Sequence, residues 1–310
     1  MLKAILLGIL ASFFFAFTFI LNRQMNISGG SWVWSASLRY IFMLPFLILI
    51  VGSRRNLIPA LKEIRKNIFS WLLWSTVGFG LFYAPLSFAA SYGPAWLIAG
   101  TWQITIIAGS LLSPLFYKVV ITQSGFYKVR CKIPFKSLMI SSIILIGIGL
   151  IQINRANNSS IKEVIIGIVP VLVAAFAYPI GNRKMMEICE GKLDAYQRVF
   201  GMTLASMPFW LILSIYGIIF IGAPCREQIL QSLIVAICAG VVATILFFSA
   251  TDITNGDVKN LAAVEATQSG SVIFTLLGEI LVFHGKFPEG LSLIGMILII
   301  SGMIFHSITS

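Results

Sequence analysis

LLGILASFFFAFTFILNRQM, residues 6–25, and IIGIVPVLVAAFAYPIGNRKM, residues 165–185, are two apolar segments written on one pattern. Gly8 to Phe17 has the spacing of Gly167 to Phe176, and each segment closes on Asn-Arg-x-Met after a slip of one residue. Each is long enough to cross a hydrocarbon core, which takes about 20 apolar residues. The correspondence continues down the chain. Arg39 followed by MLPFLILI is echoed by Arg198 followed by SMPFWLILSI, and AGTWQ ending at Gln103 is echoed by VEATQ ending at Gln268.

Working outward from these matches, ten membrane spans are read: 4–22, 32–52, 68–90, 95–117, 137–153, 163–182, 196–221, 229–250, 260–283 and 290–308. All must be helices, because an open strand leaves backbone groups unpaired in lipid. The composition agrees: of 310 residues 58% are hydrophobic and 11% charged, with a mean hydropathy of +0.95, against roughly 25% charged in a soluble domain. The expected fold is therefore an all-α membrane protein. Its halves, 1–156 and 157–310, hold five spans each, and an odd number forces them to cross in opposite senses. Such a 5+5 inverted repeat is the plan by which transporters place a substrate site at the midplane and expose it to each side in turn.

Basic residues fix the orientation. With the N-terminus inside, 15 of the 22 Lys and Arg fall on the cytoplasmic side and five outside, so both termini are expected to be cytoplasmic. The net charge of +11 thus reports topology, and a nucleic-acid partner is not expected. Lys3 to Leu21 could pass for a signal peptide, but it lacks a small-x-small cleavage site and is kept as the first span. Asn26-Ile-Ser, Asn157-Asn-Ser and Asn158-Ser-Ser fit the glycosylation pattern without being compelling. Cys131, Cys189, Cys225 and Cys238 have no metal-ligand or disulfide spacing, and there is no phosphate-binding GxxxxGK[ST], HExxH or Ser/His/Asp arrangement. No cofactor, metal or catalytic residue is expected, and the chain is not read as an enzyme.

Together these features resemble the drug/metabolite transporter superfamily. Within it they are most similar to the ten-helix multidrug resistance efflux branch, related by duplication to the four-helix small multidrug resistance proteins. The resemblance implies export or exchange of small organic molecules, proton-coupled in some members, through a cavity lined by helices 1, 3, 4, 6, 8 and 9. The four-helix relatives carry a coupling glutamate in their first helix. Here that helix holds Phe13, Phe14 and Phe15 and no acid.

A carboxylate must then be sought elsewhere, and Glu265 lies in the ninth span, about 9 Å inside Lys259 at roughly 1.5 Å per residue. An intramembrane carboxylate is costly and marks a functional site by default. Glu265 is expected to bind a proton or a cationic substrate; the alternative is that it pairs with Lys259 or another inner polar group and only closes the inner end. Gln268 follows one turn later, with Glu279 further along the same face as a vestibule charge. Gln103 matches Gln268 across the repeat, and paired amides could orient a polar substrate. Trp74, Tyr83, Trp102 and Tyr178 are the expected aromatic pocket, suited to flat or cationic molecules. Arg39 and Arg198 are expected to snorkel to head groups or cap helix ends, with anion handling as the alternative. Gly147, Gly149, Gly295 and Gly302 should let helices pack closely, within the chain or in a homodimer.

The sequence-level reading is a multi-pass plasma-membrane antiporter that exports small cationic or aromatic organic compounds in exchange for protons. Two acids and no strongly basic residue deep in the bundle favour a cation. An uncoupled exporter of amino acids or nucleobases is the first alternative, and a membrane-embedded enzyme or lipid-handling protein is a remote one.

Overall fold

The computed structural model describes residues 1–122, 125–156, 161–254, 257–284 and 287–309. Among these described residues seven helices are long and apolar enough to cross a membrane: Leu2–Ile27, Trp32–Ser53, Ile68–Ala89, Lys162–Cys189, Ala195–Phe220, Arg226–Ile253 and Asn260–Val282. Three shorter apolar stretches, Ala95–Leu111, Leu138–Ile153 and Leu291–Gly302, fall within the remaining expected spans. The Asn157 and Asn158 sequons, the junction between the two halves and Lys286 lie outside the described residues.

Several spans are broken into pieces. In chain order they are α1 (Leu2–Ile27), α2 (Trp32–Ser53), the short amphipathic α3 (Leu57–Lys66), α4 (Ile68–Ser75), α5 (Leu81–Ala89), α6 (Ala95–Trp102), α7 (Ile104–Leu111), α8 (Phe135–Ala156), α9 (Ile161–Cys189), α10 (Ala195–Phe220), α11 (Arg226–Val235), α12 (Thr244–Ile253), α13 (Val258–Ala266), α14 (Gly270–Phe283) and α15 (Leu291–Thr309). The breaks come in matching places. A π-helical turn, Thr76–Gly80, joins α4 to α5, and another, Ala236–Ala243, joins α11 to α12. The fourth span is interrupted at Gln103, and the ninth at the 3₁₀ turn Thr267–Ser269. One-turn π bulges inside helices are frequent at functional sites.

Helix starts follow from local chemistry. The Ser31 hydroxyl accepts the Val33 N–H to cap α2. At α10, Asp194 accepts the Gln197 N–H while the Gln197 side chain takes the Asp194 N–H, a reciprocal capping box. Between α7 and α8 the chain forms an antiparallel hairpin, β1 (Tyr117–Thr122) with β2 (Gly125–Arg130). Here the expected fourth span, 95–117, ends early: α7 stops at Leu111, and Ser113–Leu115 makes a 3₁₀ turn.

Packing inside the bundle relies on small residues. A Cβ added to Gly147 would lie 2.5 Å from the Gly295 carbonyl oxygen, so α8 and α15 touch backbone to backbone, with Gly302 against Ile144. Gly149 meets nothing within 4 Å. Three of the four glycines expected at a close contact are thus used within the chain. Trp71 is fully buried, its indole against the site where Gly201 lacks a side chain. At the centre Tyr40 stacks on Trp210, centroids 4.3 Å apart and planes 8° from parallel.

Candidate functional site

Near the middle of the bundle a cavity is lined by Phe15, Thr18 and Phe19 of α1, Arg39 of α2, Phe82 and Leu86 of α5, Trp102 of α6, Tyr178 of α9, Gln268 of the 3₁₀ turn and Ser271 of α14. It leaves about 20 Å³ for the centres of water-sized molecules, enough for one or two waters. Any organic ligand therefore requires it to widen.

One wall is aromatic. Phe82 packs at 5.0 Å on Trp102 and 4.7 Å on Tyr178, and Trp102 meets Tyr178 edge-on at 5.7 Å. The Trp102 indole N–H donates to the Gln268 side-chain oxygen at 3.4 Å, holding ring and amide together. The Tyr178 hydroxyl is buried without a hydrogen bond of ordinary geometry. Arg39, only 1% exposed, also lines the cavity. Its guanidinium lies 4.0 Å from the Tyr83 ring centroid, and it donates to the Thr18 hydroxyl at 3.3 Å and the Ala239 carbonyl at 3.1 Å. The Tyr83 hydroxyl in turn donates to Asn22.

One turn from Gln268, Glu265 accepts two bonds from Arg183 Nη2, at 2.7 and 2.9 Å, and a third from Nε at 3.2 Å. Arg183 Nη1 donates to the Gly109 carbonyl at 2.7 Å. Both charged residues are buried, at 7% and 8% exposure. The pair ties α9 to α13 across α7, and Gly109 is what permits it: a Cβ there would stand 2.7 Å from Glu265 Oε2. On the same end of the bundle, Arg198 pairs with Asp252 at 2.5 Å, joining α10 to α12. At the other end Glu279 accepts the Trp96 backbone N–H at 3.0 Å, occupying the N-terminus of α6.

The sequence-derived candidates divide accordingly. Trp102, Tyr178 and Gln268 meet at the cavity. Tyr83 sits behind Arg39. Gln103 is not among the lining residues: the tightened turn from Gln103 N–H to the Gly100 carbonyl frees the Ala99 carbonyl, which accepts the Gln103 amide at 2.9 Å. Trp74 is half-buried elsewhere, its carbonyl beside Gly181. Glu265 is not at the cavity wall, and its partner is Arg183, counted from the sequence as a loop charge. Arg39 was expected at a head group or a helix end, with anion handling as the alternative, and it is buried in the bundle instead. Its position roughly 10 Å into the second span, at 1.5 Å per residue, was the available signal. The premise that no strongly basic residue lies deep in the bundle therefore fails.

Comparison with known proteins agrees with this architecture. The family described as "EmrE: Putative multidrug resistance efflux transporter" matches residues 2–310. The protein YjlA of Bacillus subtilis (strain 168) is 58% identical over 309 residues, covering 100% of this chain and 95% of that one. A 42.1 kDa protein of Shouchella clausii, named for its place beside an intracellular alkaline protease gene, is 51% identical over 269 residues, 87% of this chain and 70% of its own. A solved crystal structure superposes with a TM-score of 0.67 over 99% of this chain and 98% of its own at 12% identity, a likeness of fold. The chain is a multi-pass membrane protein belonging to the EmrE-type multidrug resistance efflux transporter family.

Proposed function

We propose that this chain exports small organic molecules across the plasma membrane by alternating access, with Arg183–Glu265 as its inner gate. The reading takes 1–156 and 157–310 as inverted five-span repeats with both termini cytoplasmic. The matched π turns of the third and eighth spans and the matched breaks of the fourth and ninth support it. Broken helices around a central site are what such transporters use. The single observation that carries the proposal is the nearly closed aromatic cavity with a buried ion pair one helical turn from its Gln268 wall.

Exchange of a proton for a cation at Glu265 fits this geometry less well. Both carboxylate oxygens already accept from Arg183, and a cation bound there would face that guanidinium. Opening the pair, rather than loading it, is the natural use of two charges that bridge separate helices. The uncoupled exporter is therefore preferred to the antiporter.

The test places a cysteine at Ser271, which lines the cavity, in a chain whose four native cysteines are replaced. Labelling by a membrane-impermeant thiol reagent is then compared between inside-out and right-side-out vesicles. Glu265→Gln is expected to raise cytoplasmic-side labelling several-fold by loosening the gate. Unchanged labelling, or a shift toward the outer side, sinks the assignment.

A further inference from the structure

Resting on that reading, we propose that the cargo is a small organic monoanion, a carboxylate or sulfonate on an aromatic body, with Arg39 as its counter-charge. Arg39 is the one lining residue that carries a formal charge. Among the described residues no carboxylate forms an ion pair with it; Glu265 and Asp252, at one end of the bundle, are taken by Arg183 and Arg198, and Glu279, at the other, accepts the Trp96 backbone N–H. What Arg39 has instead are two neutral acceptors and the face of Tyr83, and its Nε–H is buried with no acceptor at all.

An arginine stays protonated at any physiological pH, so it cannot relieve burial by losing its charge. Leaving a buried charge uncompensated is costly, and the missing element is an anion. The guanidinium fork suits a planar or trigonal oxyanion, which it binds through two parallel hydrogen bonds. Stacking on Tyr83 fixes the orientation of that fork before a ligand arrives. Phe82, Trp102 and Tyr178, which line the same cavity, offer flat apolar surface for the rest of the molecule, and the buried Tyr178 hydroxyl, without a hydrogen bond of ordinary geometry, offers a further donor. A cation in the same space would meet Arg39 with no free carboxylate to offset it. A monoanion also needs no proton partner, because an inside-negative potential favours its exit by roughly 50-fold per 100 mV.

The experiment uses purified full-length protein in liposomes and two permanently charged probes of similar size, p-toluenesulfonate and benzyltrimethylammonium. The native chain is expected to carry p-toluenesulfonate faster than empty liposomes do, faster still with an inside-positive diffusion potential, and without response to a pH gradient. Arg39→Gln should lower that rate at least about tenfold. Arg39→Lys, which keeps the charge but loses the fork, should raise KM with a smaller loss of maximal rate. In micelles, p-toluenesulfonate should raise the native melting temperature and benzyltrimethylammonium should not, a binding readout that survives if Arg39→Gln folds poorly. Carriage of benzyltrimethylammonium alone, or p-toluenesulfonate carriage indifferent to both Arg39 variants, overturns the anion assignment and leaves the exporter standing. Carriage of neither probe, with the native protein folded and no melting shift, overturns both.

Discussion

Arg183→Ala is expected to lower the stability of the detergent-solubilised protein by about 3–5 kcal/mol, the usual consequence of leaving a buried charge without its partner. Glu265 would keep its 8% exposure and lose all three of its hydrogen bonds to Arg183. Glu265→Ala should cost a similar amount, leaving Arg183 with the Gly109 carbonyl as its remaining hydrogen-bond acceptor. The informative variant is the double one. Arg183→Met with Glu265→Met removes both charges and fills similar volume, and buried pairs replaced by apolar residues are often neutral in stability. It is expected to recover most of the lost stability but not the gate. Unfolding in a denaturing detergent titration, read alongside cytoplasmic labelling of a cysteine at position 271, separates the two properties. If Arg183→Ala unfolds within about 0.5 kcal/mol of the native chain, a value typical of a neutral surface change, Glu265 is not left buried and unpaired, and the gate has been misplaced.

The distinction matters because the two roles of a buried ion pair conflict. A purely structural pair should be static, whereas a gate must break once per cycle. The desolvation cost that makes a buried pair a weak source of stability keeps its net contribution small enough to be reversed. Glu265 and Arg183 lie on α13 and α9, and α13 begins only seven residues before the carboxylate. The 3₁₀ turn Thr267–Ser269 that follows separates α13 from α14.

Much of this was legible in the chain itself. Apolar runs of membrane length announce helices because a single segment can satisfy its backbone in lipid only that way, and the shared Gly-to-Phe spacing of residues 8–17 and 167–176 is what suggested a repeat. Trp102, Tyr178 and Gln268 could be picked out because side chains carrying a hydrogen-bonding group are few within a span. Pairing was not legible. Arg183 and Glu265 are 82 residues apart, and the sixth helix, expected to end at 182, runs on to Cys189. The charge that seemed to lie in a loop is on the buried face of those two extra turns. Arg39 was misjudged for a related reason: snorkelling is open to an arginine only where its side chain can reach water, and the packing of Tyr40, Tyr83 and Trp210 that closes the route is invisible to a count along one helix. The hairpin did leave a signal, since YKVVIT carries the β-branched residues that favour strands.

Gly181→Ala should be the second severe substitution, through backbone contact rather than charge. A Cβ on Gly181 would lie 2.2 Å from the Gly78 Cα, 2.5 Å from its nitrogen and 2.9 Å from the Trp74 carbonyl. None of these atoms can rotate away, so α9 has to move off α4 and the π turn. Overpacking usually costs about 1–3 kcal/mol, and contact with three backbone atoms puts this case at or above the top of that range. The displacement would reach Tyr178 and Arg183, three residues before and two after, so cavity and gate should both suffer. The reverse change is milder: a Cβ on Gly78 meets the Gly181 Cα at 3.1 Å and the Met202 terminal methyl at 3.1 Å, and the methionine end can yield. Gly149 has nothing within 4 Å, and an unobstructed helical glycine gains about 0.5–1 kcal/mol on becoming alanine. Melting temperatures in one detergent are thus expected to fall in the order Gly149→Ala at or above native, then Gly78→Ala, then Gly181→Ala. If Gly181→Ala melts with the native chain, the two backbones are not in contact, and the helix crossing that aligns Tyr178 with Trp102 and Arg183 with Glu265 has been drawn too close.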